Sequence, residues 1–243
     1  KIWEKIENFI FPKLTDIITV NQSIANFYEE KYHKKIYVCR NIPLDFTPTR
    51  LKTREELGLP LDKHILILQG TGINVQRGAE EAVLTMQYLE DCVLLIIGSG
   101  DIIPELQKMI DQYQLQEKII IKPKMLFQEL RQYTMNSDLG LAIDKDTNLN
   151  YHYSLPNKLF DYIHAEIPIL SSGLPEIKQI IDQYDIGYYI QNHHPKHIAE
   201  VIQNIFNNPQ RYALVKQNTA KAKAELNWEK EEQILIELIN KTF

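Results

Sequence analysis

Eight short runs of β-branched and aliphatic residues, at 16–20, 35–39, 64–69, 93–98, 118–122, 139–143, 168–171 and 188–190, punctuate this chain, and most are apolar at nearly every position. A strand that alternates apolar and polar residues buries one face. A strand that is apolar throughout has to bury both, and a parallel sheet covered by helices on each side provides that environment. Helix-patterned stretches fill the intervals at 22–33, 78–89, 102–114, 127–136, 156–165 and 174–183. The resulting βαβα order predicts an α/β fold built on a doubly wound parallel sheet. After Pro195 the pattern is helical, at 197–206, 210–225 and 228–240.

The alternation breaks at residues 41–62, where Pro43, Pro48 and Pro60 leave one short helical candidate at 53–57, so this stretch reads as a linker. Ahead of it, residues 1–40 hold a helix already in progress, a strand, a helix and a second strand, too little to bury a core alone. The first residue is Lys1 rather than Met, and the expectation is that this is a piece of a longer protein.

Charge narrows the function. Lys and Arg number 27 against 32 Asp and Glu, a net charge of −5, so no basic field draws a nucleic-acid backbone and no nucleic-acid partner is expected. No apolar run approaches the roughly 18 residues of a membrane span, and no signal-peptide pattern opens the chain. Cys39 and Cys92, far apart and without CxxC spacing, read as two buried thiols in a reducing compartment.

Open parallel sheets bind ligands beyond the carboxyl ends of their strands, so the loops there are where chemistry is sought. After the run at 64–69 comes Gly70-Thr71-Gly72-Ile73-Asn74-Val75-Gln76-Arg77-Gly78. Its glycines would let backbone N–H groups approach an anion at a helix start. It is neither dinucleotide fingerprint nor phosphate loop: Val75 replaces the third glycine of G-x-G-x-x-G, and no G-K-[ST] follows. Arg77 is either a bidentate phosphate ligand or a solvated arginine. Gly98-Ser99-Gly100-Asp101 reads first as a tight turn. Asp144-Lys145-Asp146 resembles a metal-binding D-x-D triplet, but Lys145 between the acids and the ordinary loop after them argue against a metal. In 151–162, Ser154 is a candidate N-cap and Pro156 fits a first turn, and Lys158 and Asp161 share a helical face. Such a pair can divide the work, ammonium to phosphate and carboxylate to ribose hydroxyls, or it can be a surface ion pair worth a few tenths of a kcal/mol.

The run S-L-P-N-K-L-F-D-Y-I-H-A-E-I-P-I-L-S-S at 154–172 resembles the S-x-P-x-K-x-x-E-Y-x-A-x-G-x-P-V segment of retaining family 4 glycosyltransferases of GT-B fold, a variant of their Glu-x7-Glu signature. G-T-G-I-N-V-Q-R-G-A-E-E-A at 70–82 and G-S-G-D at 98–101 are similar to two further segments of that family. T-V-N-Q-S-I-A at 19–25, R-N-I-P at 40–43, L-P-E-I-K-Q-I-I at 174–181 and W-E-K-E-E at 228–232 follow in family order. The resemblance implies a Rossmann-like doubly wound parallel sheet, the C-terminal half of a GT-B fold, with a remnant of the N-terminal domain. Residues 1–40 would be that remnant of the acceptor domain, 41–62 the linker, 63–227 the nucleotide-sugar-binding domain, and 228–243 a helix crossing back to the N-terminal domain.

The same resemblance implies transfer of a sugar from a nucleoside diphosphate sugar to an acceptor hydroxyl with retention, without metal or other cofactor. Arg77 and Lys158 would hold the diphosphate, Gly70 and Gly72 would admit it, and the backbone amides of Ser154 and Leu155 would point at it. Asp161 would bind the ribose, and Lys124 and Met125 would lie near the base. Two positions depart from the pattern: Tyr153 stands at the first acid of Glu-x7-Glu, and Glu166 replaces a glycine. The expected partners are the donor and an acceptor glycan or lipid-linked glycan held by the missing domain, in surface polysaccharide or glycoconjugate synthesis. The expected place is the cytoplasm, with peripheral association at the inner face of the membrane, and the fragment alone is expected to transfer poorly. The alternatives are a sugar-nucleotide epimerase of the same fold, with Asp144, Asp146 or His152 as acid or base, and a non-catalytic sugar-nucleotide-binding domain.

Overall fold

The computed structural model describes residues 2–46 and 48–242; Lys1, Thr47 and Phe243, which fall in three of the expected segments, lie outside the described residues. The leading segment contains α1 (Ile2–Ile10), β1 (Ile17–Thr19), α2 (Gln22–Tyr32) and β2 (Ile36–Val38). The main unit alternates β3 (His64–Gly70), α3 (Ala79–Thr85), β4 (Cys92–Gly98), α4 (Ile103–Gln112), β5 (Ile119–Pro123), α5 (Phe127–Met135) and β6 (Leu139–Ala142). It continues through α6 (Leu149–His152), α7 (Asn157–His164), β7 (Ile169–Ser171), α8 (Pro175–Tyr184) and β8 (Gly187–Tyr189), and ends in α9 (Pro195–Phe206), α10 (Pro209–Glu225) and α11 (Trp228–Thr242).

Each apolar run is a strand. Six of them form one parallel sheet in the order β5-β4-β3-β6-β7-β8, with Leu66 of β3 registered against Leu94 of β4 on one side and Leu139 of β6 on the other. The all-apolar pattern has the expected cause. Leu66 and Leu68 enter one core layer with residues of α3, α4 and α9, while Ile65 and Ile67 enter the opposite layer with residues of α5, α7, α8 and α10. Tyr162 ties α7 to this sheet, its buried hydroxyl lying 3.1 Å from Ile67 O and 3.3 Å from Leu141 O.

Two local expectations give way. Residues 53–57 form a turn closed by Leu59 N–H on Arg54 O at 2.8 Å, not a helix. The stretch around it is no free tether, because Ile42, Leu57 and Leu59 are buried in the second layer and Arg54 binds Asp138 at 2.8 Å. Of the two thiols, Cys92 is buried and Cys39 half-buried.

β1 and β2 pair in parallel as a separate two-stranded sheet, Ile17 opposite Ile36. They pack with Ala25 of α2 into a small core of their own. The segment is bolted to the main unit: Asn21 Nδ2 donates to Tyr153 O at 2.7 Å, and Ser23 N–H to Glu176 Oε1 at 2.9 Å. At the other end α11 meets the same segment, its Glu231 accepting from Arg40 N–H and Nε, both at 2.7 Å.

Candidate functional site

Strand order reverses between β3 and β6. The chain leaves β3 into α3 on one face of the sheet and leaves β6 toward α7 on the other. Divergent exits leave a crevice at the carboxyl edge, and a cavity of about 330 Å³ opens there, lined by Gly70, Gly72, Arg77, Asp144, Leu155 and Lys158 among others.

Gly78 sets the geometry of one wall. Its φ of +80° is left-handed, and a Cβ there would lie 2.4 Å from Ile143 O. The start of α3 is therefore pressed onto the end of β6, which carries Arg77 to Asp144. The Arg77 Nη1 lies 3.1 Å from Asp144 Oδ1, and Lys158 Nζ, from the first turn of α7, lies 2.8 Å from Asp144 Oδ2. Asp144 is fully buried. Burial alone would push its carboxyl up, but Lys158 and then Arg77 outweigh that and hold it below the usual carboxylate value. Two cations on one buried carboxylate leave one uncompensated positive charge at the cavity wall. Behind Arg77, the Tyr151 ring lies 4.0 Å from the guanidinium carbon.

The opposite wall is backbone. A Cβ added to Gly70 or Gly72 would meet no protein atom closer than 3.9 Å. At Gly70 the backbone, with φ +158°, itself favours glycine, whereas at Gly72 the protein does not demand it; what the missing side chains leave open is space in the cavity. The Gly98-Ser99-Gly100 turn braces this loop, Ser99 N–H donating to Gly70 O at 3.1 Å and Ser99 O accepting from Ile73 N–H at 3.0 Å.

Ser154 and Leu155 also line the cavity, but the Ser154 amide donates to Tyr151 O at 3.0 Å. The Ser154 hydroxyl is buried and without a partner among the described residues. Pro156, not Ser154, is the residue capping α7, no side chain caps that helix, and its first residues Asn157 and Lys158 line the same cavity. Lys158 and Asp161 are not paired with each other. Asp161 Oδ2 accepts from Gln69 Nε2 at 3.0 Å, and Asp161 O accepts from Arg131 Nη1 at 3.2 Å. Burial pushes the Asp161 carboxyl up to about 6, with Arg131 and Gln69 pulling the other way. Gln69 lines the cavity, whereas Lys124 and Met125 line a separate depression after β5, on the same edge of the sheet.

The D-x-D acids have different partners. Asp144 belongs to Arg77 and Lys158, while Asp146 Oδ2 lies 2.9 Å from His152 Nδ1. Lys145 pairs with Glu81. Among the described residues no three His, Cys, Asp or Glu side chains cluster as a metal site would require. A hollow of about 760 Å³ at the β8 edge lies away from the switch point, and its Arg211 is engaged with Asp185 at 2.6 Å.

Sequence reading missed Tyr151 and the pairing role of Asp144, besides Gln69, Arg131 and Thr134, whose hydroxyl lies 2.7 Å from Gln69 Oε1. One signal was available. Asn148 is a good N-cap, and its side chain accepts from Tyr151 N–H at 3.0 Å to start α6, in a stretch expected to be plain loop.

None of the curated proteins matches this chain. Among solved structures, sucrose-phosphate synthase from Thermosynechococcus elongatus superposes with a TM-score of 0.78 at 16% identity, over 94% of this chain and 58% of that one. HepE from Anabaena, solved with UDP and glucose, gives 0.76 at 13% identity over 93% and 63%. WaaG, a glycosyltransferase involved in lipopolysaccharide biosynthesis, gives 0.69 at 12% identity over 89% and 62%. The chain spans less than two thirds of each of these three. At such identities the likeness is one of fold, the Rossmann-like half of a GT-B architecture. The sequence model of the family described as glycosyl transferases group 1 matches residues 50–222, well over half of the chain, and both walls of the cavity fall inside that span. This chain belongs to the group 1 glycosyl transferases.

Proposed function

We propose that this chain is the donor-binding part of a retaining glycosyltransferase that uses a nucleoside diphosphate sugar. The observation that carries the reading is the convergence of Arg77 and Lys158 on buried Asp144 beside a glycine loop at the switch point. Such a wall fits a diphosphate: two cations already aimed, backbone close, and no side chain in the way. In the reaction the bond from the anomeric carbon to the diphosphate oxygen breaks while the acceptor oxygen bonds to the same face of that carbon and its hydroxyl proton passes to the departing diphosphate oxygen. Arg77 and Lys158 stabilise the charge left on the departing diphosphate, which is the role a metal would otherwise fill. Asp161 accepts from the ribose hydroxyls, and the base lies toward Lys124 and Met125. HepE, similar in fold, is solved with UDP-glucose, which supports a nucleotide-sugar donor here.

The acceptor, a glycan or lipid-linked glycan of surface polysaccharide synthesis, would be held by a domain outside this chain. The work would be done at the cytoplasmic face of a membrane; no helix among the described residues is long and apolar enough to cross one. An epimerase reading has less to stand on, since Asp144 is locked between cations and Asp146 and His152 bind each other outside the cavity lining.

Isothermal titration with UDP, GDP and ADP tests the proposal. At least one is expected to bind the wild type, and Arg77→Ala is expected to abolish or strongly weaken it. Absence of binding to all three, or undiminished binding by folded Arg77→Ala, refutes the site. Binding by the whole protein with neither transfer nor donor hydrolysis would point instead to a non-catalytic binding domain.

A further inference from the structure

We propose that Gln69, locked by Thr134, is the positioning residue that aims the Asp161 carboxylate at the ribose of the donor. This rests on the donor-site reading above and adds two residues to it.

A carboxylate on a helix can turn about two side-chain bonds, and to accept from both hydroxyls of a ribose its two oxygens must be presented in one plane. A single hydrogen bond from a rigid donor to one oxygen fixes that plane and leaves the other oxygen free. Gln69 provides such a donor. It is nearly the last residue of β3, registered against Ile97 of β4, and only 3% exposed. Its Nε2 donates to Asp161 Oδ2 at 3.0 Å, and the residue also lines the cavity.

An amide can face either way, and the reverse orientation would set its oxygen against an ionised carboxylate. The Asp161 carboxylate selects the amide nitrogen, and Thr134 holds the other end of the amide in that orientation. Buried on α5, it places its hydroxyl 2.7 Å from Gln69 Oε1, and a hydroxyl donating to that oxygen leaves the amide nitrogen facing Asp161. Leu130 O, one turn back at 3.0 Å, is the other acceptor in reach of that single proton, and Gln69 Oε1 is the nearer of the two. One turn before Thr134, buried Arg131 donates to the Asp161 carbonyl at 3.2 Å and fixes α5 against α7. The order Thr134 to Gln69 to Asp161 thus has each donor assigned, with Gln69 the member that lines the cavity.

The test measures affinity for the ribonucleoside diphosphate that binds best among UDP, GDP and ADP, and for its 2′,3′-dideoxy form, at a pH where Asp161 is ionised. Wild type should prefer the ribose form by about tenfold or more, the worth of hydrogen bonds to a charged acceptor. Thr134→Val, nearly isosteric, should reduce that preference about two- to tenfold while leaving affinity for the dideoxy form unchanged. Thr134→Ser should restore it, and Gln69→Met, an independent route to the same loss, should reduce it at least as much. An unchanged preference in folded Gln69→Met and Thr134→Val overturns the inference. So does equal weakening of both nucleotides, which is what a merely structural role would produce, or a failure of Thr134→Ser to rescue. Binding that depends on Arg77 but ignores the ribose would overturn it while leaving the diphosphate site standing. No binding of any nucleotide overturns both.

Discussion

Lys158→Met separates a buried ion pair from a surface one. Lys158 Nζ lies 2.8 Å from a carboxylate oxygen of Asp144, which has no solvent exposure. Removing the ammonium leaves that carboxylate with Arg77, 3.1 Å from its other oxygen and 28% exposed. Stripping a partner from a buried charge costs about 3–5 kcal/mol, whereas losing an exposed helical pair costs under about 1 kcal/mol. At about 2–4 °C per kcal/mol for a chain of this size, Tm should fall by about 6–20 °C. Thermal unfolding followed by circular dichroism measures it.

The pH dependence sharpens the test. In wild type the cations hold Asp144 below its ordinary value of 3.8, so its stabilising contribution is present above that value and is lost as pH falls through the lower folded one. In Lys158→Met burial dominates and the folded value rises. The penalty is then full above the raised value and fades as pH falls toward 3.8. The deficit relative to wild type should therefore shrink on acidification. Lys158→Met with Asp144→Asn, which has no buried charge to strand, should melt above the single variant. A single variant melting within about 2 °C of wild type, below the shift expected for 1 kcal/mol, or a double variant no better than the single, would refute the reasoning.

Further outcomes follow from the same geometry. Gly78→Ala should destabilise by about 1–3 kcal/mol or more, from positive φ and the clash with Ile143 O, whereas Gly72→Ala should leave Tm nearly unchanged and weaken nucleotide diphosphate binding; melting and titration of the pair check both. Tyr151→Ala should weaken that binding about two- to fivefold, the worth of an exposed cation–π contact, with Tm within a few degrees of wild type. Because burial pushes Asp161 up to about 6, its cost to folding is absent below 3.8 and grows as pH rises to about 6. Asp161→Asn should therefore gain on wild type in denaturant titrations on going from about pH 4.5 to 7.5; a constant difference between the two proteins would contradict this.

The parts of the molecule that were legible in the sequence are those whose cause is local. The strands were readable because each lies under helices on both faces, and that environment writes itself into consecutive residues, as in Ile65–Leu66–Ile67–Leu68. α6 was hidden because four residues are too few for a helical period, although its cap at Asn148 could have been read. The turn at 53–57 lacked a helix for a tertiary reason: Arg54 and Leu57 are drawn onto Asp138 and the core.

The candidate site divides along the same line. Arg77 and Lys158 could be named from a glycine loop and a helix start, because residue type and position carry the chemistry of binding an anion. Their common partner could not. Asp144 read as half of a metal triplet, since only the reversal of strand order between β3 and β6 brings the ends of two distant loops onto one buried carboxylate. Gln69, Thr134 and Asp161 likewise come from a strand and two helices that meet only across the second core layer. Sequence by itself determined the βαβα layering and the placement of cations at the carboxyl edge of the sheet. Tertiary structure decided which carboxylate each cation serves and which amide holds Asp161, because side-chain partners across a sheet are set by strand order and register, to which no local pattern is sensitive.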